Sequence, residues 1–173
     1  EYAKMGTEIK ITTVPYEFKG FMGMRNFIIE DAEGKKLAWA NSNWTHLDIS
    51  TGLPARLTPV DTDNYVLGEK MEMDYAPRKI KLPEDMIAQE AFTVQKHHLD
   101  TNHHVNNCQY VCMAEDFLPE SFKIYQMRAE YKMQAKLGDV ICPKVKTETD
   151  KVVVSLDNIE GKAYAILEFL KNK

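Results

Sequence analysis

Hydrophobic and polar positions alternate along residues 8–14, Glu-Ile-Lys-Ile-Thr-Thr-Val, a period of two that predicts a half-buried strand running up to Pro15. Lys19-Gly20 breaks the pattern. Residues 24–31 and 36–49 are again rich in β-branched and aromatic residues, with Glu33-Gly34 as the turn between them and Thr51-Gly52 after them. A three-stranded antiparallel meander is expected. No helical spacing precedes Asp61, which leaves the apolar face of such a sheet without a predicted cover. Residues 59–83 are rich in Asp, Lys and Pro and carry no sustained period, which predicts a connector.

The pattern changes beyond it. Residues 90–99 read as a strand. Residues 106–118 place Cys108, Val111, Cys112 and Leu118 at helical spacing before Pro119, which predicts a helix with both cysteines on its packed face. Four further strands follow at 125–134, 140–147, 151–158 and 163–170, with Gly138-Asp139, Thr149-Asp150 and Glu160-Gly161 as turns. Strand, helix, then four antiparallel strands predict an α+β domain in which one helix lies across the concave face of a curled sheet.

Composition narrows the function classes. The chain has 173 residues, 44% hydrophobic and 28% charged, enough to bury a core in one domain or two small ones. No run approaches the roughly 18 apolar residues a membrane-spanning helix requires. Residues 1–5 carry no charged-then-apolar export pattern. Against 26 acidic residues stand 22 Lys and Arg, a formal charge of -4, so nucleic acid is not an expected partner. Three cysteines, an odd number in apolar surroundings, fit reduced thiols and a cytoplasmic protein.

Chemistry concentrates in residues 97–110, which hold four of the five histidines, one carboxylate and three asparagines where a strand hands over to the helix. Caps and turns account for Asn and Asp individually. They do not require Asp100, Asn102 and His104 at alternate positions, free to project to one side of an extended segment. A helix N-terminus beside them favours developing negative charge, which suits acyl transfer. Asp100 is then a candidate base or nucleophile, His104 a proton carrier, and Asn102 an orienting group. No serine occupies a Gly-x-Ser-x-Gly elbow.

The run from Leu99 to Tyr110, Leu-Asp-Thr-Asn-His-His-Val-Asn-Asn-Cys-Gln-Tyr, resembles the signature of the acyl-acyl carrier protein (acyl-ACP) thioesterases, D-x-N-x-H-V-N-N-x-x-Y. Supporting resemblances are Trp44 with Asp48, Glu130-Tyr131 and Gly138-Asp139. That resemblance implies two tandem hotdog domains, each an antiparallel sheet wrapped around a central helix. Residues 1–59 would form the C-terminal part of a first hotdog incomplete at its N-terminus, 60–89 a linker, and 90–173 the second hotdog. It implies hydrolysis of an acyl-ACP thioester to free fatty acid in fatty acid biosynthesis, with Asp100, Asn102 and His104 catalytic. Asn106, Asn107 and Tyr110 of the motif become candidate substrate-binding residues. Plant members carry Glu-Cys where this chain has Gln134-Ala135, so a thiol nucleophile is absent there. Gln134 keeps an amide that can orient water in the catalytic set. No cofactor or metal is implied. The partner would be a carrier protein bearing an acyl-phosphopantetheine, and a homodimer is compatible with the sequence.

Three alternatives stand beside this reading. One is acyl-coenzyme A as the substrate, and another is a hotdog that binds acyl groups without hydrolysing them. The third is a zinc module drawn from His97, His98, His103, His104, Cys108 and Cys112, whose spacing does not form paired knuckles.

Overall fold

A computed structural model describes residues 2–171, and the chain divides into two compact units, Glu1–Ala76 and Pro77–Lys173. No helix among the described residues is long and apolar enough to cross a membrane.

The first unit is the expected meander: β1 (Ile9–Lys19), β2 (Met22–Asp31) and β3 (Lys36–Thr45), antiparallel in that order. Its turns use Gly20 and Gly34 at φ of +64° and +81°, a region glycine enters without a Cβ clash. Pro15 does not end β1. The strand lies at the sheet edge, and its register against β2 shifts between Pro15 and Glu17, so the proline's missing N–H falls beside a bulge. β3 is shorter than expected because Asp48 turns the chain. Its carboxylate accepts the Ser50 N–H at 2.8 Å, and its own N–H donates to the Leu53 carbonyl at 2.9 Å.

One helical turn, α1 (Pro59–Thr62), opens the segment expected to be a plain connector. The Asp61 carboxylate accepts the Thr58 N–H at 2.8 Å, and proline sits in the first turn where its missing donor costs nothing. Further on, the chain folds back onto one face of the meander. Asn26, 1% exposed, accepts the Met71 N–H at 3.0 Å and donates to the Tyr75 hydroxyl at 3.2 Å. The other face aligns Ile11, Ile29 and Ala38, then Phe27 with Ala40, by register. Ile11 is 65% exposed, and no hydrophobic residue described in this unit is fully buried.

The second unit is the hotdog. Its strands are β4 (Ile87–Ala88), β5 (Phe92–Thr93), β6 (Ile124–Tyr131), β7 (Val140–Thr147), β8 (Lys151–Asp157) and β9 (Ala163–Lys171). They pair in the order β4-β7-β8-β9-β6, with β5 also on β7. The helix α2 (Asn107–Glu115) packs on β8 and β9. Tyr110, Met113 and Ala114 join Val152, Val154, Leu156, Ala165, Leu167 and Phe169 in one buried cluster. Burying each large apolar side chain there contributes roughly 1.5–3 kcal/mol, which makes this cluster the main source of stability.

Residues 77–86 cross the opposite face of that sheet. Ile80 packs with Val153 and Ile166, and its N–H donates to Glu130 Oε2 at 3.1 Å. Arg128, paired with Glu168 at 2.7 Å, donates to the Pro77 and Lys79 carbonyls. Lys146 pairs with Asp85.

Two strand expectations are corrected. Residues 90–99 keep only Phe92–Thr93 as strand, and Lys96–His98 form a 3-10 turn. The Gln95 N–H donates to His98 Nδ1 at 3.0 Å, so a local acceptor replaces the ladder. The strand expected over 125–134 stops at Tyr131, because the Lys132 and Met133 N–H groups both donate to the Tyr164 carbonyl, at 2.8 and 3.2 Å.

Candidate active site

Between Leu99 and Val105, which form an isolated antiparallel bridge, the chain reverses in five residues. The Asp100 N–H donates to the His104 carbonyl at 2.8 Å, and the His103 N–H to the Asp100 carbonyl at 3.1 Å. Asp100 Oδ1 accepts the Asn102 N–H at 2.8 Å and the His104 N–H at 3.3 Å. His103 takes φ of +61°, a conformation to which histidine is more tolerant than branched residues. The segment is therefore a carboxylate-closed turn, not the extended run from which alternate residues were expected to project. The Asp100 carboxylate still ties the main chain of Asn102 and of His104 into one turn.

The turn leads straight into α2. Asn106 caps it, its side-chain oxygen accepting the Cys108 N–H at 2.8 Å. Val105 before the cap and Tyr110 in the second turn are both buried in the core cluster, the arrangement of a hydrophobic staple. α2 thus starts next to the Asp100 turn, with the Asn106 N–H donated to the His98 carbonyl at 2.9 Å and the Gln109 N–H to the Asn106 carbonyl at 2.9 Å.

Electrostatics define what Asp100 can do. The Asn102 N–H, then the His104 N–H and charge, hold its carboxyl below the usual carboxylate value. It is an anion and an acceptor, and a weak taker of protons. Burial, then His97, pulls the His98 imidazole down, so that ring stays neutral and serves as the acceptor of its turn. Burial pushes the phenols of Tyr110 and Tyr131 up, and both remain neutral hydrogen-bonding groups.

Gln134 lies on the loop after β6, exposed, rather than on a strand face. That loop is tied to the turn, since the Val105 N–H donates to the Ala135 carbonyl at 2.9 Å. Of the candidate substrate-binding residues, Asn106 is occupied as the helix cap, while Asn107 is exposed and its carbonyl accepts the Tyr131 hydroxyl at 3.2 Å. Tyr110 is 2% exposed, and its hydroxyl oxygen accepts the Ala135 N–H at 2.9 Å. Its position is in the core rather than on an open surface. The sequence marks Ala135 only for the thiol it lacks, and its main-chain contribution leaves no side-chain signal.

The cysteines are also corrected. Cys108 and Cys112 are exposed, because the buried stripe of α2 is Tyr110, Met113 and Ala114. Among the described residues, no three His, Cys, Asp or Glu side chains gather as a metal site would require.

Residues 81–166 match the model of the acyl-ACP thioesterase C-terminal domain, a span that includes the turn, α2 and the Gln134 loop. Among curated proteins, none matches the chain in sequence. Two solved structures of similar fold are an acyl-ACP thioesterase from Bacteroides thetaiotaomicron and the 12:0-ACP thioesterase from Umbellularia californica. The first is 19% identical with a TM-score of 0.82, over 95% of this chain and 68% of its own. The second is 17% identical with a TM-score of 0.84, over 99% and 70%. This chain thus spans about two thirds of their length. A MaoC-like dehydratase from Phytophthora capsici aligns over 95% of this chain and 63% of its own, at a TM-score of 0.57 and 13% identity. Identities this low establish the fold alone, and a dehydratase among them shows that reaction class has to come from the site. The matched residues all lie within the second unit, and through it the chain belongs to the acyl-ACP thioesterase family.

Proposed function

We propose that this chain hydrolyses the thioester of an acyl group carried on acyl carrier protein, releasing a free fatty acid for lipid synthesis. The observation that carries the reading is the Asp100 turn, which sets an ionised carboxylate, Asn102 and His104 at the start of a helix. Asp100 holds and orients the attacking water or the His104 ring, and its lowered pKa suits an acceptor that stays charged. His104 takes the proton as the water attacks and returns it to the departing thiolate. Asn102 aligns the water or the carbonyl. The positive end of the α2 dipole favours the oxyanion. Gln134 adds an amide that orients water and takes up no proton. Lys132 and Lys136, exposed on either side of Gln134, offer positive charge to an acidic carrier.

The test is turnover of acyl-ACP and acyl-coenzyme A thioesters of graded chain length by the chain and by Asp100→Asn. Asp100→Asn is expected to lower kcat about a hundredfold or more, the scale of a lost acid–base partner, while the protein stays folded. Equal turnover by both defeats the reading. Coenzyme A esters cleaved in preference would reassign the carrier, and tight acyl binding without turnover would favour the non-catalytic alternative.

A further inference from the structure

Ala135 is fully buried and bonded through both of its main-chain groups. Its N–H donates to the Tyr110 hydroxyl oxygen on α2, and its carbonyl accepts the N–H of Val105, which closes the Asp100 turn, both at 2.9 Å. Gln134 is its immediate neighbour. Before Gln134, the Lys132 and Met133 N–H groups rest on the Tyr164 carbonyl. After it, the Lys136 N–H donates to Asp139 Oδ2 at 2.9 Å, and the same oxygen accepts the Tyr164 hydroxyl at 3.2 Å. The loop is thus pinned at both ends to β9 and its neighbouring turn, and in its middle to α2 and the Asp100 turn.

We propose that Tyr110 is a positioning residue: its hydroxyl fixes the Met133–Ala135 loop, and with it Gln134, in register with the Asp100 turn at the start of α2. This rests on the thioesterase reading given above. The sequence placed Tyr110 against the substrate. A hydroxyl that is buried with its ring in the core, and whose oxygen already accepts a main-chain N–H, acts instead through what it holds. Removing it leaves the Ala135 N–H buried without an acceptor, and the loop has to open toward water to satisfy that donor. Gln134 then leaves its place while Asp100, Asn102 and His104, closed by their own hydrogen bonds, keep theirs.

The test uses Tyr110→Phe, Gln134→Ala and the double variant in the full chain, read by steady-state kinetics and by amide hydrogen exchange at Ala135. In Tyr110→Phe, exchange at Ala135 is expected to speed up about tenfold or more, and kcat to fall about tenfold with KM changed less than about twofold. With Gln134 already replaced by Ala, the Phe substitution is expected to lower kcat no further, which a general loss of stability would not reproduce. An unchanged Ala135 exchange rate overturns the latch. A kcat loss of the same size in both backgrounds overturns the route through Gln134. Should Tyr110→Phe not fold, the unaltered chain still decides, since its Ala135 amide must be protected and rapid exchange there overturns the proposal. An unaltered chain that turns over no thioester defeats the functional reading, while exchange at Ala135 still judges the latch.

Discussion

Asp100 directs one carboxylate oxygen at two N–H groups of its own turn, so its charge is part of the local fold as well as of the chemistry. Its folded-state pKa lies below the unfolded value. The stabilisation it provides is therefore present above about pH 4, the ordinary carboxylate range, and is lost as pH falls through the lower folded value. The stability gap between the natural chain and Asp100→Asn should be full near neutrality and close in acid, as denaturant melts at several pH values would measure. A gap independent of pH would mean that the carboxylate's charge has no part in the turn. Grouping Asp100 with Asn102 and His104 was legible from residue type and spacing alone. Their geometry was not, because alternation was read as an extended strand where Asp-x-Asn equally encodes a side-chain-closed turn. The cysteines show the same ambiguity, since the spacing of Cys108 and Cys112 competes with the stripe of Tyr110, Met113 and Ala114 in a helix of nine residues. Both thiols should react with a soluble disulfide reagent in the folded protein. Cys112 should be slowed by partial desolvation and the adjoining Cys108, which raise its pKa. Their alanine variants should cost within about 0.5 kcal/mol, the usual range for exposed positions, and little turnover.

At the level of elements, β7, β8 and β9 were legible to within a residue because glycine or aspartate turns bound them and their interior residues face a core. The short elements were not. β4 and β5 have two residues each and exist by pairing with β7, a tertiary cause that no local pattern displays. α2 is equally dependent on its surroundings, being too short to persist alone, and its start is set by Asn106. Asn106→Ala should destabilise the protein by about 1 kcal/mol, the typical value of a lost N-cap. Because the same residue joins the Asp100 turn to α2, turnover should fall with it, whereas an exposed change at the far end of the helix such as Glu115→Ala should leave both nearly unchanged. Thermal melts beside kinetics would separate the two.

The whole molecule pairs two units with unequal internal support. Pro77–Lys173 holds every fully buried hydrophobic residue described, and its sheet is packed by α2 on one face and by residues 77–86 on the other. Residues 77–173 expressed alone should therefore unfold in one cooperative transition, and native-state hydrogen exchange in the full chain should show slowest amides in β8 and β9. Slowest exchange in β1–β3 instead would contradict this ranking. No helical spacing precedes Asp61, and on the meander face opposite Asn26 both Ile11 and Trp44 remain exposed, in line with the uncovered apolar face the sequence predicts.

The junction at Ala135 has a consequence for divergence. Its two hydrogen bonds are made by main-chain atoms, so they are indifferent to which small side chain the residue carries. Serine or cysteine at 135 would keep both bonds, but its added Oγ or Sγ would have to fit among the core residues that already enclose the Ala135 methyl group. Hydrogen bonding therefore sets the path of the loop at 135, while core packing alone limits which side chain the position accepts.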